Sequence, residues 1–187
     1  MHRRLTVAVA TTAALGLTTA GAATTAGAAI PKNEIRIVGG TTVKPGEFIK
    51  VDLRFKAADT TVKSNSVVTL RDKGEQGEPH TISFVKKRFL PEQFESGVDE
   101  QLLTAHGVNP EDQEAPPANP IVDNGAPLAP DAMLEVDTMF SKTVMGDSAF
   151  LFPGTKTFKF KVTADKGSKL FYFCAIHPWM QGKLTVS

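Results

Sequence analysis

From Glu34 onward the chain is broken by glycine or proline at short intervals, and the runs between the breaks are rich in β-branched and aromatic residues. Ile35, Ile37 and Val38 open the series, and Gly39-Gly40 ends that run. Lys44-Pro45-Gly46 is a turn, after which Phe48, Val51, Leu53 and Phe55 mark a strand whose irregular alternation implies a bulge. Val67-Val68-Thr69-Leu70 forms another run. The glycine-containing loop 72–79 then leads into His80-Thr81-Ile82-Ser83-Phe84-Val85, a succession of strand formers. Near the C-terminus residues 157–162 alternate apolar and polar, Asp165-Lys166-Gly167-Ser168 is a turn, and residues 170–174 and 183–186 complete the set. Short strands joined by Gly/Pro turns, with no helices alternating between them, predict an all-β sandwich.

Residues 91–143 break this pattern and read as an insertion. Phe94, Val98, Leu102 and Leu103 stand at helical spacing within 91–106, and His106-Gly107 is a stop signal. A cationic His106 would suit the dipole at that helix end. Residues 109–131, with Pro110, Pro116, Pro117, Pro120, Pro127 and Pro130, read as loop. The insertion carries eleven acids against Lys142 alone, a net of −10. Two readings stand for it: a solvated loop, or a flap or docking surface that steers a basic partner.

The N-terminus has its own grammar. Met1-His2-Arg3-Arg4 is basic, only apolar residues, Thr and Gly follow to about Ala20, and Ala26-Gly27-Ala28 suits a signal peptidase. Residues 1–28 are therefore expected to be a secretory signal peptide, with an uncleaved anchor as the alternative. The expected mature chain, 29–187, is a single domain with a net charge of −1, hence +9 outside the insertion. So balanced a total argues against general nucleic-acid affinity. No later stretch is apolar enough over roughly 20 residues to span a membrane.

Cys174 is the only cysteine, which excludes an internal disulfide and leaves an exported thiol to be accounted for. It ends a predicted strand; His177 lies in the turn and Met180 follows three residues later, in Cys174-Ala175-Ile176-His177-Pro178-Trp179-Met180. Thiolate, imidazole and thioether suit copper, and a His₂Cys set with a weak axial Met is the blue-copper arrangement. His80, at the head of its strand, is the source for the second imidazole. Other readings stand beside this one. Cys174 can be a small buried hydrophobe, Cys and His can form a nucleophile and base, and Met180, Pro178 and Trp179 can be core filling. Zinc would prefer a fourth ligand harder than a thioether or richer in thiolate. Met133, Met139 and Met145 suggest either a Cu(I)-binding methionine set or apolar anchors of a loop. Ser148 has no base near it in sequence.

On these residues the chain resembles the plastocyanin/azurin-type cupredoxins, and its short Cys174-x2-His177-x2-Met180 loop is most similar to that of the amicyanins. Gly182 and Glu78-Pro79-His80-Thr81-Ile82 match the family as well. The resemblance spans residues 34–90 and 144–187. It implies a Greek-key β-sandwich and one type 1 copper ion, with His80, Cys174 and His177 as strong ligands and Met180 as the axial one. It also implies an electron carrier rather than an enzyme. Such a monomer would serve a redox partner such as a c-type cytochrome or a copper or quinoprotein enzyme, with copper storage, delivery or sensing as the alternative role. In two respects the chain departs from the family: the 80-to-174 connection is long, and Thr81 stands where Asn is common. A threonine hydroxyl there is expected to tie the two ligand loops together less fully than the amide would.

Overall fold

In the computed structural model the described residues are 29–74, 77–92, 98–112, 115–137 and 146–187. The expected signal peptide, 1–28, lies outside them, as do Phe94, Met139 and Met145. The strand-forming runs pair as β1 (Glu34–Val38), β2 (Thr41–Lys44), β3 (Phe48–Val51), β4 (Arg54–Lys56), β5 (Asp59–Val62), β6 (Ser66–Asp72) and β7 (His80–Val85). The insertion follows, with helix α1 (Val98–Ala105), β8 (Ile121–Asp123), β9 (Ala126–Pro127) and β10 (Leu134–Val136). The chain closes with β11 (Ser148–Leu151), β12 (Thr157–Val162), β13 (Lys169–Phe173) and β14 (Gln181–Val186).

One sheet has the order β10-β12-β6-β1-β4 and the other the order β5-β14-β13-β7-β11-β8-β9, so the class is all-β. Alternation along each strand turns Ile35, Leu70 and Phe160 of the first sheet toward Phe84, Tyr172 and Leu184 of the second, all fully buried. Phe84 meets Phe160 edge-on at 5.4 Å and Phe55 meets Tyr172 at 5.2 Å, so aromatic pairs knit the two sheets together. Each such side chain contributes about 1.5–3 kcal/mol on burial. Tyr172 also donates its hydroxyl to the Ala58 carbonyl at 2.7 Å. Gly182 stands opposite it, where a Cβ would come within 2.5 Å of the tyrosine ring.

Two expectations change. Residues 48–55 do not form one bulged strand. Asp52 stops the first run by accepting the Gly40 N–H at 2.9 Å while its own N–H bonds the Gly40 carbonyl. β2 and β3 therefore form a separate hairpin, with Val43, Phe48, Ile49 and Val51 exposed, and β4 joins the first sheet. Residues 109–131 are loop over most of their described length, but they also contain a short hairpin. Asn124 and Gly125, both at positive φ, make a tight turn between β8 and β9, which extend the second sheet, and β10 adds a parallel edge to the first.

Helix α1 of the insertion packs on the outer face of the second sheet. Leu102 of α1 is buried in a cluster with Val85, Phe173 and Ala175, and Leu103 packs at its border. This second layer explains why all six residues of β7 are buried, inward- and outward-facing alike.

Candidate metal centre

The second sheet alone delivers the candidate ligands, from its neighbouring strands β7, β13 and β14. His80 opens β7, Cys174 follows β13, and these strands are antiparallel neighbours, so the register sets Thr81 against the segment just beyond Phe173. The loop between Cys174 and Met180 is cinched by two backbone bonds, Cys174 N–H to the Met180 carbonyl and Met180 N–H to the His177 carbonyl. The ligating atoms of His80, Cys174 and His177 thereby lie within 4.8 Å of one another. Among the described residues this is the one group of three or more His, Cys, Asp or Glu side chains that converges so. The two imidazole rings stand 5.0 Å apart, and the Cys174 sulfur is 3.7 Å from His177 Nδ1. Met180 is buried in the same core cluster as Cys174.

The electrostatics of the trio fit a metal better than a set of free side chains. His80 is fully buried and neither ring nitrogen has a hydrogen-bond partner. Such orphaned polar atoms are rare in a folded chain and cost about 1–3 kcal/mol each unless something binds them. Burial, followed by the His177 charge, pushes His80 down to about 4, so the ring stays neutral and keeps a lone pair for a metal. Burial also lowers His177, against the pull of Glu78, whose carboxylate sits 3.2 Å from Nε2. Burial raises the Cys174 thiol, while backbone N–H groups of Thr81, Ile176 and His177 favour its thiolate, with the Thr81 hydroxyl also within reach of the sulfur. A soft cation held by these three residues would supply the missing positive charge and favour the thiolate over the thiol.

The Thr81 tie is tighter than the sequence suggested. Its N–H reaches the Cys174 sulfur at 3.2 Å and its hydroxyl accepts the Ala175 N–H at 2.7 Å, so it joins the two ligand loops by two bonds. Trp179 packs edge-on against the His177 ring at 5.2 Å and is 40% exposed, while Pro178 is buried; only the tryptophan contributes apolar surface. Met133 is exposed rather than a loop anchor.

His106 is no helix-end cation. It is fully buried, burial lowers its basicity, and its Nε2 lies 2.8 Å from the Ser148 hydroxyl. Ser148 thus has an imidazole beside it in space that linear spacing hides, but both residues are enclosed. Glu78 was also missed as a neighbour of His177. Its only signal was its place two residues before His80.

These burials fix the pH response of the metal-free protein. Below about 6.5 the unfolded chain protonates at His80, His106 and His177 while the folded chain resists, so stability falls on acidification. Asp147 acts oppositely: burial and a hydrogen bond with Asp123 raise it from 3.8 to about 8, so stability also falls as pH rises toward 8. Each group acts with a slope of up to about 1.4 kcal/mol per pH unit. Thermal midpoints should peak near pH 6.5, and Asp147→Asn should remove the alkaline fall; a flat profile contradicts both limbs.

No family model and no curated protein matches the chain. Among solved structures it is similar to auracyanin from Roseiflexus castenholzii, at 18% identity over 83% of this chain and 97% of that one, with a TM-score of 0.43. It is similar to auracyanin A from Chloroflexus aurantiacus, described as a "blue" copper protein, at 22% identity over 82% and 98%, with a TM-score of 0.42. A purple cupredoxin from Nitrosopumilus maritimus aligns at 15% identity over 82% and 98%, with a TM-score of 0.40. The chain itself is an all-β sandwich, and its His80–Cys174–His177 cluster brings together one thiol and two imidazoles, a donor set that suits copper.

Proposed function

We propose that this protein is an exported blue-copper protein that passes single electrons between partners. In this reading His80, Cys174 and His177 hold the copper and Met180 is its weak axial ligand. One observation carries it: a fully buried histidine with both ring nitrogens unpartnered, facing a thiol and a second imidazole. Bound copper supplies a Cu(I)/Cu(II) couple. The chain's part is to hold the ligands on a sandwich too rigid to rearrange much between the two states. Thr81 locks the thiolate segment, and Glu78 orients His177 by accepting its Nε2–H, while Glu78 itself accepts the Thr41 hydroxyl at 2.9 Å.

The electron's path out runs through His177. Its side chain is 11% exposed, whereas His80 is completely enclosed, and Trp179 supplies apolar surface at its edge. Glu100 of α1 borders a cavity of about 430 Å³ with Pro79 and Ile176, which puts one acid of the insertion beside the ligand loops. That supports a basic redox partner, in the manner of a c-type cytochrome, over a copper or quinoprotein enzyme with an acidic face. Residues 1–28 would be the export signal. No helix among the described residues is long and apolar enough to cross a membrane.

Protein recovered outside the cytoplasm should begin near residue 29 and, on addition of Cu(II), develop an intense visible charge-transfer band that Cys174→Ser abolishes. A colourless product ends the blue-copper reading. Copper readily lost to a chelator, with poor redox cycling, marks storage or delivery instead. Glu78→Gln should raise the reduction potential, because the carboxylate strengthens imidazole donation to the oxidised ion; voltammetry reads the shift, and an unchanged or lowered potential contradicts the role. Electron transfer to a basic cytochrome should slow as ionic strength rises. A rate indifferent to salt removes the steering role of the insertion.

A further inference from the structure

The outward face of β7 carries two hydroxyls that the insertion seals from water. Thr81 Oγ1 lies 2.9 Å from Ser83 Oγ, and Ser83 Oγ lies 2.7 Å from Ser148 Oγ on β11. Ser148 Oγ lies 2.8 Å from His106 Nε2, and His106 Nδ1 lies 2.6 Å from the Asn119 carbonyl. Thr81, Ser83, Ser148 and His106 are all fully buried. A continuous chain therefore runs from the Cys174 loop to the insertion.

The direction of that chain follows from its far end. A carbonyl oxygen only accepts, so His106 Nδ1 must carry the proton. Asn119 cannot turn away, because its N–H bonds the His106 carbonyl at 2.8 Å and its side-chain amide donates to the Ala105 carbonyl at 3.0 Å. Burial keeps the imidazole neutral, so Nε2 is bare and Ser148 donates to it. Each hydroxyl has one proton. With that of Ser148 spent on His106, Ser83 donates to Ser148 and Thr81 donates to Ser83. The Thr81 proton therefore points away from the Cys174 sulfur, and the Thr81 oxygen is left to accept the Ala175 N–H.

We propose that His106 is a positioning residue of the copper site: as terminal acceptor of the hydroxyl chain it withholds the Thr81 proton from the Cys174 sulfur. The thiolate is then held by backbone N–H groups without a hydroxyl donor. Hydrogen bonding at this sulfur is one of the levers that set the potential of a blue-copper site, so an element of the insertion adjusts the metal without touching it. The assignment rests on the copper reading of His80, Cys174 and His177.

Two measurements test it separately. In the metal-free protein, nitrogen-15 shifts of His106 should report the Nδ1–H tautomer with Nε2 unprotonated; an Nε2–H tautomer or an imidazolium overturns the direction of the chain whether or not copper binds. In the copper-loaded protein, His106→Phe and Ser148→Ala each leave the chain without its acceptor, and the Thr81 proton turns to the sulfur. The reduction potential should rise and the charge-transfer band move to higher energy in both variants, with His106→Gln, which restores an acceptor, close to the parent. Ser148→Ala decides the matter should His106→Phe fail to fold. A parent-like potential and band in Ser148→Ala overturn the proposal, and a wild-type protein that takes up no copper removes instead the reading it rests on.

Discussion

Strand β7 is buried on both faces, and most of what is distinctive in this molecule follows from that. Its inward face carries Ile82 and Phe84 into the sandwich and His80 into the ligand cluster. Its outward face carries Thr81 and Ser83, side chains that would suit water had the insertion not covered them. Each face poses the same problem, a polar group with no solvent, and each solves it differently. Outside, the hydroxyls satisfy one another in a chain. Inside, the imidazole of His80 finds no protein partner, which is tolerable only where a cation takes that place.

The ligand cluster was legible because its chemistry is local. Cys174 and His177 fall within four residues, and the one distant member, His80, heads the clearest strand in the chain. The sandwich was legible for a similar reason, since period-two alternation at residues 157–162 survives as partial burial of Phe158 and full burial of Phe160 and Val162. The insertion was not. Its proline content and charge masked Ile121-Val122 and the Asn124-Gly125 turn, the signature of a hairpin hidden between two breakers. Phe48 to Phe55 misled in the opposite sense. An apolar spacing fit for one core strand is divided by a side-chain cap from Asp52, and half of it faces solvent.

His106 shows why linear reading fails for buried polar networks. Next to a glycine at a helix end it reads as a cation complementing the dipole. Its partners, Asn119 and Ser148, lie 13 and 42 residues away. No spacing rule links them; only the folding of α1 onto the second sheet does. Thr81 is similar, because its value as a substitute for a carboxamide depends on the register of β7 against β13, which brings a backbone N–H to its hydroxyl.

The parallel pairing of β5 with β14 has a consequence for how the chain reaches this state. Residues 59–62 find their strand partners in residues 183–186, more than a hundred residues later. β13 sits between β14 and β7, and the contact from Thr81 to Cys174 spans 93 residues. The second sheet therefore cannot zip from its N-terminal side as the chain emerges from a ribosome or a pore; its centre waits for β13 and β14. High contact order of this kind makes assembly slow and concerted. The His80–Cys174–His177 cluster, assembled from both ends of that wait, cannot form before β13 has paired with β7.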